Sequence, residues 1–145
     1  MKTRLPFIVA ILSVISSSCV KEDIGPRLRR EAEEKLLGTW ILERRVTEVY
    51  QPIVAYPVPG TGATTQYNGT ANDYFDFQSA QVVEIDTAGT GATQHAFEVI
   101  NPSQVFIDDN SWRIETHTAR NLLLVRDIND GPQDRRYITK LYFKR

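Results

Sequence analysis

YFDFQSAQVVEID, residues 74–86, decides the fold. Phe75 and Phe77 alternate with Tyr74, Asp76 and Gln78, and beyond Ser79 and Ala80 the apolar Val83 and Ile85 flank Glu84. A period of two puts apolar side chains on one face of an extended chain and polar ones on the other. Two such runs with a short connection form a hairpin, so the strands are antiparallel neighbours.

The period repeats on both sides of this stretch. Runs at about 38–50, 73–78, 81–86, 94–100, 104–108, 111–117, 120–126 and 135–144 make eight candidate strands. Phe97 and Val99 flank Glu98, and Trp112 and Ile114 flank Arg113. Consecutive hairpins give a meander, and eight strands can close on themselves, which removes both exposed edges. The expected fold is therefore all-β: an eight-stranded antiparallel up-and-down barrel. Its inward set includes Phe75, Phe77, Phe97, Trp112, Ile114, Leu122 and Leu124, the candidate lining of an internal cavity. These side chains either fill the barrel or leave room for one small ligand, and the sequence leaves both open.

The connections carry a second pattern. Those after the first, third and seventh strands are long (51–72, 87–93 and 127–134), whereas Asn101-Pro102-Ser103 is typical of the short ones; Asp109-Asn110 is a tight exception. Alternate connections of a meander lie at opposite ends, so one end is tight and the other carries the loops. Loops on a rigid scaffold are the usual place for binding. Tyr56, Pro57, Pro59 and Tyr67 are the candidate rim.

Ahead of the barrel, residues 26–37 read as a helix. Pro26 suits a first helical position, Leu28, Ala32 and Leu36 recur every four residues, and Gly38 ends the run. Arg30 with Glu34 and Glu31 with Lys35 add opposite charges at the same spacing.

The first residues have a different logic. Lys2 and Arg4 precede an apolar run from Phe7 to Ile15, too short for the ~20 residues of a membrane-spanning helix but suited to a cleaved export signal. Ser16-Ser17-Ser18-Cys19 follows, with the only cysteine of the chain. The segment resembles a bacterial lipobox, although that family prefers leucine where Ser16 stands. The resemblance implies that residues 1–18 are removed, that Cys19 is acylated, palmitate being the kind of chain it receives, and that 19–25 is a lipidated tether to the domain at 26–145. Plain secretion with dimerisation through Cys19 is the alternative. Lys21-Glu22-Asp23 resembles the signal that sends some lipoproteins to the outer face of the outer membrane. The expected location is the outer membrane, at the cell surface.

Residues 1–18 carry Lys2 and Arg4, so 15 basic residues face 18 acidic ones in the mature chain, a net charge of −3. No basic patch with interleaved aromatics is present, which argues against nucleic acid as a partner.

A helix, Gly38-Thr39-Trp40 opening the first strand, eight strands and a basic residue at the end together resemble a lipocalin, and more closely the compact bacterial lipocalin-like domains carried on lipoproteins, from about Leu36 onward. The resemblance implies that Trp40 packs at the closed base and that Arg145, or Lys144 in its place, lies across the indole. It implies a fold far more strongly than a function.

Motifs for chemistry are weak. GTGAT occurs at 60–64 and 89–93, but no helix follows either copy, so flexible turns on one rim fit better than a phosphate loop. Asp127-Ile128-Asn129-Asp130-Gly131 lacks the glutamate of a calcium loop and reads as a turn. His95 and His117 are the only histidines, and the second is expected on an outward face with Arg113 and Glu115. Neither a catalytic constellation, a metal site nor a cofactor is expected. Two functions remain: a barrel that binds a small apolar or amphipathic ligand, or a filled barrel that contacts an envelope protein or glycan through its long loops. Either would act as a membrane-anchored monomer.

Overall fold

The computed structural model describes residues 24–145; the expected signal at 1–18, Cys19 and most of the expected tether at 19–25 lie outside the described residues. Helix α1 (Ile24–Leu36) leads directly into β1 (Gly38–Tyr50), followed by β2 (Ala63–Asn68), β3 (Tyr74–Gln78), β4 (Val82–Asp86), β5 (Thr93–Asn101), β6 (Gln104–Ile107), β7 (Asn110–His117), β8 (Asn121–Asp130) and β9 (Arg135–Lys144). Every pairing is antiparallel, and β1 pairs with both β3 and β9, so β1 and β3–β9 close an eight-stranded barrel.

The remaining strand, β2, falls inside the stretch 51–72 that reads as a loop. It pairs with the second half of β1, from Arg44↔Asn68 to Val49↔Ala63, while β3 pairs with the first half. Between them the chain makes a kink at 69–73. Gly69 N–H donates to Glu43 O at 2.9 Å and Leu42 N–H to Asp73 O at 2.7 Å, so both ends of the kink are stitched to β1. A Cβ on residue 69 would lie 1.8 Å from the Leu42 carbonyl oxygen, so only glycine fits this approach. β2 escapes sequence reading because nearly all of it is exposed. Its Ala-Thr-Thr-Gln has no apolar face to alternate, and backbone pairing with β1 holds it. β8 likewise runs to Asp130, beyond the expected end at 126, and shortens the 127–134 connection to a 3-10 turn at Gly131–Gln133.

The barrel interior is full. Trp40, Leu42, Phe77, Val83, Val99, Val105, Leu122, Leu124 and Phe143 have at most 2% of their surface exposed. Phe75 packs against Phe143 with ring centroids 4.9 Å apart, and Phe77 against Phe97 at 5.1 Å, both edge-on. Burial of each such side chain contributes about 2–3 kcal/mol, and the edge-to-face contacts add to it.

The helix covers one end. Ala32 and Leu36 join the core, and Arg29 reaches Glu98 on β5 at 2.7 Å. The Trp40 indole N–H donates to Leu36 O at 2.8 Å. Arg145 lies over the indole, its guanidinium carbon 3.9 Å from the ring centroid, and donates to the Leu36 carbonyl at 3.2 Å and to the Leu37 carbonyl. His117 is at this end too, its ring 5.7 Å from Trp40. Alternation places it outward, but a bulge between Ile114 and Thr116 shifts the register and sets His117 opposite the buried Leu122. Its Nε2–H donates to Lys35 O at 3.1 Å, and burial pushes its pKa down.

Candidate functional site: the inner wall of the barrel mouth

The other end, the mouth, carries the 51–62 loop, the 87–92 turn, the Asp108-Asp109 turn and the Gly131–Gln133 turn. Both GTGAT copies are here; the first runs into β2 and the second into β5. On this side β8, β9 and β1, the longest strands at 10, 10 and 13 residues, form with β2 a wall that continues past the packed core.

The register gives the inner face of this wall row by row. Deepest is Leu124–Leu141–Arg45–Tyr67, next Arg126–Thr139–Thr47–Thr65, and then Ile128–Tyr137–Val49–Ala63. Leu124 and Leu141 belong to the core, which fixes these rows as inward. β1 has its own bulge between Leu42 and Arg44, opposite Phe143 and Tyr142. The extra residue reverses the alternation, so Arg45 faces in while Arg44 lies outside over Tyr142, 4.2 Å from its centroid.

These three rows hold two arginines, three neighbouring threonine hydroxyls and no carboxylate, and Asp130 and Arg135 stand one row further out. The Arg45 guanidinium is 5.3 Å from the Tyr67 ring centroid, and that of Arg126 is 5.9 Å from Trp112. Tyr67 and Trp112 are half-buried and rest on the core. A depression of about 410 Å³ lies between Arg45, Thr47, Thr65, Tyr67 and Thr139. Among the described residues neither Arg45 nor Arg126 has an ion-pair partner.

Asp73 holds this site in shape. It is 1% exposed. One carboxylate oxygen accepts from Thr70 N–H at 2.5 Å, Thr70 Oγ1 at 2.8 Å and the Tyr67 hydroxyl at 3.0 Å; the other accepts from Ala88 N–H at 2.5 Å. Burial alone would raise its pKa, but these four donors together lower it to about 2. The same bond raises the Tyr67 pKa. One buried carboxylate therefore ties the kink, the aromatic floor under Arg45 and the 87–92 turn together.

The outer face of the wall is built differently. Lys140 contacts Glu48 at 2.8 Å, Arg136 contacts Asp127 at 2.6 Å and Lys144 contacts Glu43 at 2.7 Å. Tyr50 OH donates to Glu48 at 2.8 Å, and the Lys140 bond holds the Glu48 pKa down. The 51–62 loop folds onto this face: Arg136 donates to Val54 O at 2.6 Å and Ala55 O at 2.5 Å, and Tyr50 OH lies 3.3 Å from Val58 O. A depression of about 540 Å³ remains under the loop, lined in part by Tyr50, Val54, Pro57 and Val58.

The rim residues are therefore divided. Tyr56 is 93% exposed at the loop tip with Pro59 exposed nearby and Pro57 half-buried, all on the outer side; Tyr67 is on the inner wall. Phe75, Phe77, Phe97, Ile114, Leu122 and Leu124 are buried in the core, and Trp112 packs on its mouth side. Each of the depressions described here lies at the surface rather than among those residues.

The two histidines are at opposite ends. His95 Nδ1 is 2.7 Å from Asp108 Oδ2 and its Nε2 is 2.8 Å from Thr93 Oγ1. This carboxylate–imidazole–hydroxyl relay was not visible in the sequence, because its members come from β5 and the turn after β6. Its donors and acceptors are shared with the backbone, Asp108 accepting also from Ala96 N–H at 3.1 Å, and it pins the Asp108-Asp109 turn to β5. Half of Asp108 is solvent-exposed, and no depression described here borders Thr93. Among the described residues no cluster of three metal-ligating side chains occurs, and no helix is long and apolar enough to cross a membrane.

No family model, curated protein or solved structure matches the chain.

Proposed function

We propose that this is a non-catalytic lipoprotein of the outer membrane, anchored at the cell surface through acylated Cys19, whose filled lipocalin-like barrel presents its mouth as a recognition surface. One observation carries the binding half of this reading: the interior is occupied by the barrel's own side chains, while the wall beyond it keeps charged and hydroxyl groups open to a partner. A carrier of apolar molecules would need the volume that Phe75, Phe77, Phe97 and Phe143 take up. The amphipathic-ligand and loop-contact readings thus converge on one place, the mouth.

The anchor supports an orientation. β1 enters at the helix-covered base, so a tether ending at Ile24 leaves from that end and the mouth points away from the membrane. The chemistry of one lone cysteine after a short apolar run supports acylation, since several acyl chains on one terminus give stable anchoring.

Native mass spectrometry of the chain purified from the cells that make it tests the anchor: a mass starting at Cys19 with added acyl chains is expected, and an unmodified thiol overturns it. A photo-crosslinking residue at Tyr56 on intact cells should form adducts that the same residue at Ser79, in the base turn, does not. Adducts from Ser79 alone would overturn the mouth as the working surface.

A further inference from the structure

We infer that the inner wall of the mouth binds a small organic anion, its carboxylate or phosphate held between Arg45 and Arg126 over the Thr139–Thr47–Thr65 row. This rests on the mouth being the working surface and names what it takes.

The first support is a charge imbalance across one sheet. The outer face pairs Arg136, Lys140 and Lys144 with carboxylates at 2.6–2.8 Å and lays Arg44 over the Tyr142 ring. The three inner rows of the same four strands hold two guanidinium groups with neither an ion-pair partner nor a hydrogen-bond acceptor among the described residues. An arginine fork is built for an oxyanion, and charge-assisted bonds to one are about twice as strong as neutral ones.

Geometry supplies the second. Strand spacing sets Arg126 and Arg45 about 10 Å apart across the sheet and about 7 Å apart along it, with Thr139 and Thr47 between them. The two guanidinium groups rest on rings to either side, Arg45 on Tyr67 of β2 and Arg126 on Trp112 of β7, and their length lets both swing inward onto one anion, where the threonine hydroxyls are donors. Aromatic rings complete the site. Tyr67 beside Arg45 and Trp112 beside Arg126 give a flat apolar body somewhere to lie, and the depression at the Arg45 end, about 410 Å³, falls within the ~300–1,000 Å³ of small-molecule sites. Asp73 accepts the Tyr67 hydroxyl, so the floor is positioned before a ligand arrives.

The test is an NMR titration of the full chain in non-ionic detergent with benzoate, phenyl phosphate and benzyl alcohol, the last being the uncharged counterpart. Saturable shifts at Arg45, Thr47, Thr65, Arg126 and Thr139 are expected with at least one of the two anions and not with the alcohol. Which anion binds more tightly separates a carboxylate from a phosphate ligand. Arg45→Gln and Arg126→Gln should each weaken binding about tenfold, and Arg44→Gln, on the outer face, should leave it within about twofold. Raising salt from about 20 to about 200 mM should weaken it further. Benzyl alcohol binding as well as the anions, an affinity unchanged in both glutamine variants, or no saturable shift with either anion would overturn the inference. Flat titrations alongside strong crosslinks from Tyr56 would remove the anion site alone; flat titrations without crosslinks would remove the mouth reading as well.

Discussion

Both ends of the barrel place arginine against an aromatic ring, and they do so to different effect. At the base, Arg145 covers Trp40 at 3.9 Å and gives its protons to the last carbonyls of α1. At the mouth, Arg45 and Arg126 stand 5.3 and 5.9 Å from Tyr67 and Trp112 with no acceptor among the described residues. A cation–aromatic contact is worth about 0.5–2 kcal/mol, so the ring alone does not separate the two ends. The acceptors do. Where the protein supplies acceptors, as to Arg145, the arginine is structural; where it supplies none, the arginine is available to something else.

The difference breaks first, and most visibly, at the base. Trp40→Ala removes a fully buried indole, its bond to Leu36 O and the platform for Arg145 and His117, and should cost about 4 kcal/mol. Thermal unfolding monitored by circular dichroism should show the chain near or below its folding threshold. Gly69→Ala tests the mouth in the same experiment. Its Cβ would sit 1.8 Å from the Leu42 carbonyl, so the kink must open, and a loss of about 2–3 kcal/mol is expected. If Gly69→Ala melted with the wild type, the β2–β3 kink would not be part of the closed structure.

Asp73→Asn comes next. The amide keeps the shape but loses the charge that four donors serve, one of its two polar atoms now being a donor itself, and a cost of about 2 kcal/mol is expected. The pH dependence has a definite sign. The pKa of Asp73 is held at about 2 against an ordinary 3.8, so the unfolded chain binds the proton first, and the stability Asp73 supplies is present above pH 3.8 and lost as pH falls toward 2. Urea unfolding between pH 5 and pH 2 should show a weaker acid dependence in Asp73→Asn than in the wild type. An equal slope would mean that Asp73 is not buried and bonded as described.

How much of this was legible in the sequence depends on where a residue stands relative to the core. Phe75, Phe77, Phe97 and Ile114 announce themselves because one face of each strand meets apolar neighbours and the other meets water. β2 has water on nearly all of its length, and alternation has nothing to mark. Arg126 was half legible, since it continues the spacing of Leu122 and Leu124. Arg45 was not, because the bulge after Leu42 exchanges it with Arg44, and a bulge leaves no trace in hydrophobic periodicity. The same device hid His117. Asp73 gave no signal because its donors come from three separate stretches.

A smaller effect sharpens the base. Burial holds the His117 pKa below its ordinary 6.5 while its Nε2–H bonds Lys35 O. In the window below 6.5 the unfolded chain takes up a proton that the folded chain refuses, so stability falls as pH drops through that window. His117→Gln, which keeps a donor toward Lys35 O, should flatten the stability profile between pH 7 and pH 5. A profile as steep as the wild type would place the titration elsewhere.

The smallest expected change is the one that bears most directly on the comparison. Arg145→Gln should cost about 1–2 kcal/mol, because it uncovers Trp40, leaves the Leu37 carbonyl without its arginine donor and leaves Leu36 O to the indole N–H alone. Arg45→Gln and Arg126→Gln should each change stability by less than about 0.5 kcal/mol, since the exposed Arg45 and the half-buried Arg126, with no acceptor among the described residues, have little beyond their ring contacts to lose. Removing them also lowers the repulsion between two unpaired positive charges on one face, which offsets part of that loss. Three chemically identical substitutions, each at an arginine beside an aromatic ring, are therefore expected to separate by end in one set of urea midpoints. If Arg45→Gln or Arg126→Gln destabilised the fold as much as Arg145→Gln, those arginines would be holding the wall together, and the contrast between a saturated base and an open mouth would fail.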